Sequence, residues 1–514
     1  MADGRTPLVY LVGAGPGDPG LLTLRAVECL GRADLVLHDK LVPPRMLAYA
    51  RPGAECVSVE SLPGEHPQRW PHVHQTMIDA ARQGKVVVRL KGGDPHVFGR
   101  GTEEAESLRQ AGIPYEFVPG ITAALAVASY AEIPLTHRAC ASAVAFITGH
   151  ENPTKPESSV DWSLLAKFPG TLVIYMGMAR LELIVKMLLE NGKPADTPAA
   201  VVQTASTGHQ ITRITTLATL DRMVRDEGLA APAIIMIGPV VSFRPPASWF
   251  ESELLFGKRV LVTRPRHQAN EMLRKLEELG AITYLLPAVE ITDPPDWSPV
   301  DAAIARLAEY DWLVFTSANG VTQFFKRLFQ SGRDVRAAGH LKFATIGPAT
   351  AEALKAFHLT ADLVPASFRS EEFALELKPR VAGKCVLLAR ADRGRELLRQ
   401  ELSAVAQVEQ ITVYSQIDAI DPDSDVLLAL SRGEIGYVTL TSSNIARAVL
   451  GSLDETARMR IHEGAVQLAS ISPVTSAAIR ELGFPVAVEA AEYTVDGLVA
   501  ALANHAQHPL TGVR

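Results

Sequence analysis

The stretch Val9-Tyr10-Leu11-Val12-Gly13-Ala14-Gly15-Pro16-Gly17-Asp18-Pro19, continuing through Gly20 to Ala26, decides how the first half of this chain is read. Its apolar opening, Leu8 to Val12, reads as a short buried strand, and Leu21 to Ala26 reads as the start of a helix. Asp18 can cap that helix, with Pro19 at its first position. A second loop, Gly92-Gly93-Asp94-Pro95, follows another apolar run, Val86 to Leu90. Two glycine-rich, acidic turns should therefore open at the carboxyl ends of strands in one sheet. Such a crevice suits a compact ligand with an adenosine part and positive charge. A dinucleotide fingerprint would want glycine where Asp18 stands and an open helix N-terminus for a pyrophosphate, which a carboxylate repels.

With 514 residues the chain is too long for a single core, and its length suggests about three domains. A 47% apolar content, 21% charge and a net charge of -7 describe a globular protein without the basic surface that nucleic acid demands. Cys29, Cys56, Cys140 and Cys385 form no CxxC pair and no Cys/His zinc spacing, so free thiols in a reducing cytoplasm and no metal are expected. MADGRTP lacks the charged head and apolar stretch of a leader, and no run approaches the ~18 apolar residues of a membrane span.

Apolar strands alternate with helical patterns along the whole chain, the signature of α/β folds with mainly parallel sheets. A first unit, 1–245, is expected in two lobes of about 1–150 and 160–245, split at the Pro/Ser-rich stretch His150 to Ser159. Residues 246–257 read as a linker, and a second unit spans 258–510. That second unit repeats itself. Phe315-Thr316-Ser317-Ala318-Asn319 recurs as Leu440-Thr441-Ser442-Ser443-Asn444, and Ile346-Gly347-Pro348-Ala349-Thr350 as Ile471-Ser472-Pro473-Val474-Thr475, an offset of about 125 residues. Gly257 to Leu261 is echoed by Gly383 to Leu387. One α/β domain has been duplicated. Each TS-x-N turn joins a strand to a helix, where its hydroxyls either cap the helix or bind a carboxylate; two copies facing across a cleft favour binding.

In the first half, Val9 to Ala26, His38 to Val42 (HDKLV), Arg89 to Glu104 (RLKGGDPHVFGRGTEE), Val118 to Ala123 (VPGITA) and Ile133 to Arg138 (IPLTHR) resemble the tetrapyrrole methylases. Within that group they look most like the S-adenosylmethionine:uroporphyrinogen-III C-methyltransferases. The resemblance implies a two-lobed α/β fold, S-adenosyl-L-methionine as methyl donor and a homodimer formed through this half. It makes Asp39 the active-site aspartate and places Pro16, Gly92, Gly93, Asp94, Thr122, Ala123 and Met176 around the donor. It assigns Arg100, Glu103 and Arg138 to the substrate, whose carboxylates suit arginine forks. Chemically, carbon methylation leaves positive charge on a pyrrole, so a nearby carboxylate and a route for proton loss assist it.

This chain departs from the family at one place. Members usually carry a Gly-Lys-Arg run after the strand that here is Cys56 to Val59, but Glu60-Ser61-Leu62 stand there, followed by Pro63 to His72. Arg69, His66 or His72 could take over the charge and proton handling of that lysine; the other reading is a remodelled surface loop.

The second half looks like uroporphyrinogen-III synthase, through Val260 to Pro265, Val314 to Val321, Ala344 to Leu354, Ile411 to Gln416, Thr439 to Asn444 and Ser470 to Gly483. The resemblance implies two subdomains, about 258–287 with 417–510, and about 290–413. Extended crossings near Pro287 to Pro295 and Ile411 to Gln416 would join them. It implies ring closure of hydroxymethylbilane with inversion of the last ring, loss of water and no cofactor. Tyr414 is the candidate for assisting hydroxyl departure, with packing beside Ile411 and Val413 as the alternative. Thr263, Arg264, Ser317, Asn319, Thr350, Arg390, Ser442, Ser443 and Thr475 are candidate substrate contacts.

Together the halves imply a bifunctional enzyme acting on small-molecule tetrapyrroles, with no nucleic-acid or membrane partner. The second half would make uroporphyrinogen III, which the first half would methylate twice to precorrin-2, the branch point to sirohaem and cobalamin. The alternative is a methylase of another tetrapyrrole or carbon, with the second half a ligand-sensing module.

Overall fold

The computed structural model describes residues 9–64, 69–150, 160–366, 370–393, 396–421 and 424–508; His66 and the stretch 151–159 lie outside them. The described residues fall into two compact units, one drawn from Met1–Val260, Asn270–Thr283 and Ala503–Arg514, the other from Leu261–Ala269 and Tyr284–Leu502.

Strands β1 (Val9–Gly13), β2 (Leu35–His38), β3 (Glu55–Ser58), β4 (Val87–Lys91) and β5 (Tyr115–Val118) form a wholly parallel sheet in the order β3-β2-β4-β1-β5. Alternate residues feed two cores. Tyr10, Val12, Val36 and Val88 pack with Ala26, Cys29 and Leu30 on one face, while Val9, Leu11, Leu37 and Val87 pack with Val73, Met77, Ala105 and Leu108 on the other. The α-helix after the first loop begins at Leu24 rather than Leu21, because Thr23 caps it by accepting from Ala26 N at 3.1 Å. Asp18 caps only a single 3-10 turn, Pro19–Leu21, through Gly20 N at 2.7 Å.

The second sheet of this unit contains β6 (Val144–Thr148), β7 (Thr171–Tyr175), β8 (Pro198–Gln203), β9 (Ile211–Thr216) and β10 (Ala233–Ile237), ordered β6-β7-β10-β8-β9. Only β6 and β7 are parallel; the other three pairings are antiparallel. The expectation of mainly parallel sheets fails here: β8 and β9 are joined by a short loop without a crossover helix, and β10 inserts antiparallel between β7 and β8. The helix Ala123–Tyr130 packs on this sheet, burying Ala124 and Val127 among Val173, Val202 and Met236. Residues 246–257, expected to be a linker, are packed instead. Phe250 is buried against Tyr130, Trp249 Nε1 donates to Ser129 O at 2.9 Å, and Glu251 is bonded to Arg244 and Gln210.

In the second half, β11 (Arg259–Val262), β12 (Ile282–Leu285), β13 (Val289–Thr292), β14 (Trp312–Phe315), β15 (Lys342–Thr345), β16 (Cys385–Ala391), β17 (Gln407–Asp418), β18 (Tyr437–Leu440), β19 (Gln467–Ser470) and β20 (Val488–Glu489) form two sheets. Their orders, β12-β11-β18-β19-β20 and β13-β17-β16-β14-β15, superimpose the sequence repeat on topology: β12, β11, β18 and β19 correspond to β17, β16, β14 and β15. β17 runs parallel to β16 and then continues antiparallel to β13, pairing Ser415 with Thr292 and Asp418 with Val289.

Candidate functional site

Strand β4 carries Arg89 and Lys91 on the same face as Val87, inside a sheet covered on both sides. Such a strand is normally apolar throughout, so two buried cations require partners. The helix Gly101–Gln110 supplies one in Glu104, whose Oε1 accepts from Arg89 Nε at 2.9 Å and from Lys91 Nζ at 2.8 Å. Arg89 also donates to the carbonyls of Leu37 and Leu90, at 3.3 and 3.1 Å, and to Asp39 Oδ1. Asp39 directly follows β2, and its second oxygen accepts from Gly92 N at 3.2 Å. Burial alone would raise the Asp39 carboxyl, but Arg89, Lys91 and the Gly92 amide outweigh it and hold it below the usual range. Burial, reinforced by Arg89, lowers the Lys91 ammonium.

Three backbone turns meet beside this carboxylate. Gly15 and Gly93 exchange amide bonds of 3.1 and 2.8 Å, and Asp94 ties its own loop to the next by accepting from His96 N at 2.8 Å and Gly120 N at 3.0 Å. Side chains are excluded at the contact. A Cβ on Gly13 would lie 2.6 Å from both Gly93 O and Gly120 Cα, and one on Gly120 only 2.2 Å from Gly93 O. Pro16 sits half-buried in the first turn. Thr122 and Ala123 open the helix Ala123–Tyr130, and Tyr175 from β7 reaches that end. Its hydroxyl lies 2.8 Å from Thr122 Oγ1 and accepts from Ala124 N at 3.0 Å. Met176 follows at φ 55 and is 49% exposed. Phe98 and Arg100 also hold positive φ, so non-glycine backbone strain gathers around the glycine turns.

The expected substrate residues are less embedded. Arg100 and Glu103 are exposed and pair with each other at 3.0 to 3.1 Å through Arg100 Nε, with the guanidinium over the Trp70 ring. Arg138 is exposed. In the departing segment, Ser61 Oγ donates to Ser58 O at 2.7 Å, Arg69 Nε donates to Gly64 O at 2.9 Å, and His72 is exposed.

In the second half, helices start at the carboxyl ends of strands in both repeats: Ala318 and Pro348 after β14 and β15, Ser443 and Pro473 after β18 and β19. Ser317 and Ser442 cap two of them, accepting from Gly320 N at 3.0 Å and Ile445 N at 3.2 Å. Ser317 Oγ also lies 2.9 Å from the Tyr414 hydroxyl, and burial pushes that phenol above its ordinary range. Asn319 Oδ1 accepts from Gln268 Nε2 at 2.7 Å, while Asn444 Nδ2 donates to Gln416 Oε1 at 3.5 Å. The asparagines of both TS-x-N turns are thus held by glutamines. Arg264 Nη2 donates to Gln268 at 3.3 Å, and Arg390 is buried near Glu396 and Gln410. Ser443 Oγ donates to Val474 O at 3.4 Å.

Thr263 ends up inside the sheet. It is fully buried, and its hydroxyl proton is donated across strands to Thr439 O at 2.6 Å. Thr350 and Thr475 are also buried, and their amides are taken by Gly347 O at 3.1 Å and Ser472 Oγ at 3.4 Å. Arg89, Lys91, Glu104 and Tyr175 were absent from the sequence candidates. Two cations inside the run Val86 to Lys91 were the available signal. Among the described residues no group of His, Cys, Asp and Glu could hold a metal ion, and no helix is long and apolar enough to cross a membrane.

The family described as Tetrapyrrole (Corrin/Porphyrin) Methylases matches residues 8–221, and Uroporphyrinogen-III synthase HemD matches residues 270–500. A porphyrin biosynthesis protein HemD from Ruminiclostridium josui is 34% identical over 87% of this chain and 89% of its own length. A uroporphyrinogen-III C-methyltransferase from Bacillus subtilis is 38% identical over 65% of this chain and 68% of its own. An S-adenosyl-L-methionine-dependent uroporphyrinogen III methyltransferase from Methanosarcina barkeri is 46% identical over 45% of this chain and 91% of its own. The chain therefore belongs to the tetrapyrrole methylases through its first half and to the HemD-type uroporphyrinogen-III synthases through its second.

Proposed function

We propose that the second half closes hydroxymethylbilane to uroporphyrinogen III, inverting ring D and releasing water. The first half then transfers two methyl groups from S-adenosyl-L-methionine to uroporphyrinogen III, giving precorrin-2. The observation that carries the methylase reading is the meeting of three side-chain-free turns, at Gly13, Gly93 and Gly120, next to the buried-charge support of Asp39.

A Cβ on Gly13 or Gly120 would run into the backbone of the neighbouring turn, and Gly93 holds a left-handed φ of 66, so the three turns close on one another without side chains. Pro16, Gly92, Gly93, Asp94, Thr122, Ala123 and Met176 would hold the methyl donor. When bound, the donor supplies a sulfonium methyl group for transfer to carbon. Asp39 remains ionised and fixed in direction, so it stabilises the positive charge that develops on the pyrrole. Arg100 and Arg138 are exposed cations for substrate carboxylates.

In the synthase half, helices in both repeats start at the carboxyl ends of strands, and the positive ends of their dipoles favour an anionic substrate. The Tyr414 phenol, protonated in the resting site, gives its proton to the departing hydroxyl, which leaves as water, and regains one from the pyrrole carbon that loses its hydrogen at ring closure; Ser317 orients it. No cofactor takes part in this half.

The chain acts on small-molecule tetrapyrroles, as a cytoplasmic homodimer assembled through the first half and without a nucleic-acid partner, in keeping with its net charge of -7. Uroporphyrinogen III supplied with S-adenosyl-L-methionine should gain two methyl groups by mass spectrometry, and light scattering should give twice the chain mass. An unmethylated product, or a monomer at all concentrations, would contradict the corresponding part.

A further inference from the structure

We infer that Glu104 is a positioning residue for methyl transfer: through Arg89 it fixes the Asp39 carboxylate, and its charge balances the buried pair Arg89 and Lys91. The inference rests on the methylase reading and adds a residue that touches neither donor nor substrate.

Glu104 is 1% exposed, Arg89 0% and Lys91 1%, so three charges lie out of water. Taking charges into a protein interior is costly, and replacing such a group by apolar packing is often neutral or favourable. A structural role alone therefore gives a weak reason to keep them. Their arrangement gives a stronger one. The Arg89 guanidinium meets four acceptors, on Glu104, Leu37, Leu90 and Asp39, which leaves its plane no freedom. Asp39 is the only member with appreciable exposure, its side chain 27% accessible, and the Gly92 amide holds its other oxygen. Fixed direction in the buried members is thereby transmitted to the one carboxylate that faces outward.

The charges also sum to zero: Arg89 and Lys91 against Glu104 and Asp39. Around them, His74 on the helix Trp70–Arg82 is bonded to Ser107 Oγ at 2.9 Å, and Glu103 is paired with Arg100. Neither replaces Glu104 as an acceptor for Arg89 or Lys91. With Glu104 neutral, two buried cations would share Asp39 as their one anion and draw it inward, away from the position in which it faces substrate.

The test is a charge-balance cycle in the full chain. Glu104→Gln should lower kcat for methyl transfer by about tenfold or more while leaving the Kd for S-adenosylhomocysteine, read by calorimetry, within about twofold. Adding Lys91→Met to Glu104→Gln restores neutrality and should return kcat to within about threefold of wild type, a recovery that a merely space-filling Glu104 would not give. Glu104→Asp, which keeps the charge, should fall between. If wild type methylates and Glu104→Gln does so equally well, or if Lys91→Met deepens the loss, the inference is overturned. A wild-type chain that transfers no methyl group would overturn the methylase reading and this inference with it.

Discussion

The Tyr175 hydroxyl lies 2.8 Å from Thr122 Oγ1 and accepts from Ala124 N at 3.0 Å, so a strand of the second sheet caps the helix that opens at Thr122 and Ala123. Thr122 makes no cap bond with its own side chain, and the tyrosine substitutes for it.

Tyr175→Phe should therefore loosen the donor site without emptying the core, since the ring still packs with Phe98 and Phe146. The expected cost is about 1 to 2 kcal/mol in unfolding free energy, with S-adenosylhomocysteine affinity down about tenfold. Denaturant midpoints and calorimetry check both; unchanged affinity would separate Tyr175 from the site.

Gly120→Ala should be far more severe. Its Cβ would fall 2.2 Å from Gly93 O and 2.7 Å from Gly13 Cα, both backbone atoms that no rotamer change can move aside. A loss of more than about 2 kcal/mol and of measurable donor binding is expected. Gly451→Ala, where the added atom meets nothing within 4 Å, should be neutral or slightly stabilising by denaturant midpoint.

Residues 9–26 and the Gly92-Gly93 loop were legible because glycine spacing and apolar runs are local signals. The duplication was legible because Ser317 and Ser442 recur in matching surroundings, and both proved to be caps. The antiparallel pairing of β8 and β9 was not, since both strands have ordinary patterns and only the missing crossover helix distinguishes them. The Glu104 network was hidden because an acidic residue in a helix looks exposed until the strand cations it serves are placed beside it.

Tyr414 and Ser317 separate catalysis from packing. Ser317→Ala removes both a cap and the Tyr414 partner, and should cost about 1 to 2 kcal/mol. Tyr414→Phe keeps the buried ring and should slow ring closure about tenfold while shifting stability by less than about 1.5 kcal/mol. A stability loss with an unchanged synthase rate would make Tyr414 a packing residue.

Asp39 gives a pH signature. Its folded carboxyl is held below the ordinary range despite burial, chiefly by Arg89, so the folded state binds the proton less tightly than the unfolded chain. The stabilisation is fully present above the unfolded aspartate value of about 4 and is lost as pH falls through the folded value. The gap in urea midpoint between wild type and Asp39→Asn should thus stay constant from about pH 8 to 5 and narrow only below about pH 4. Narrowing between about pH 7 and 5 would mean that burial, not Arg89, sets the group.

The most direct test of the account is to give the purified chain freshly made hydroxymethylbilane, with and without S-adenosyl-L-methionine, and to determine porphyrin isomer and methyl count by chromatography and mass spectrometry. Isomer III without the donor and a dimethylated product with it are the predicted results. Unmethylated isomer I in both reactions would mean spontaneous closure, and would contradict both activities.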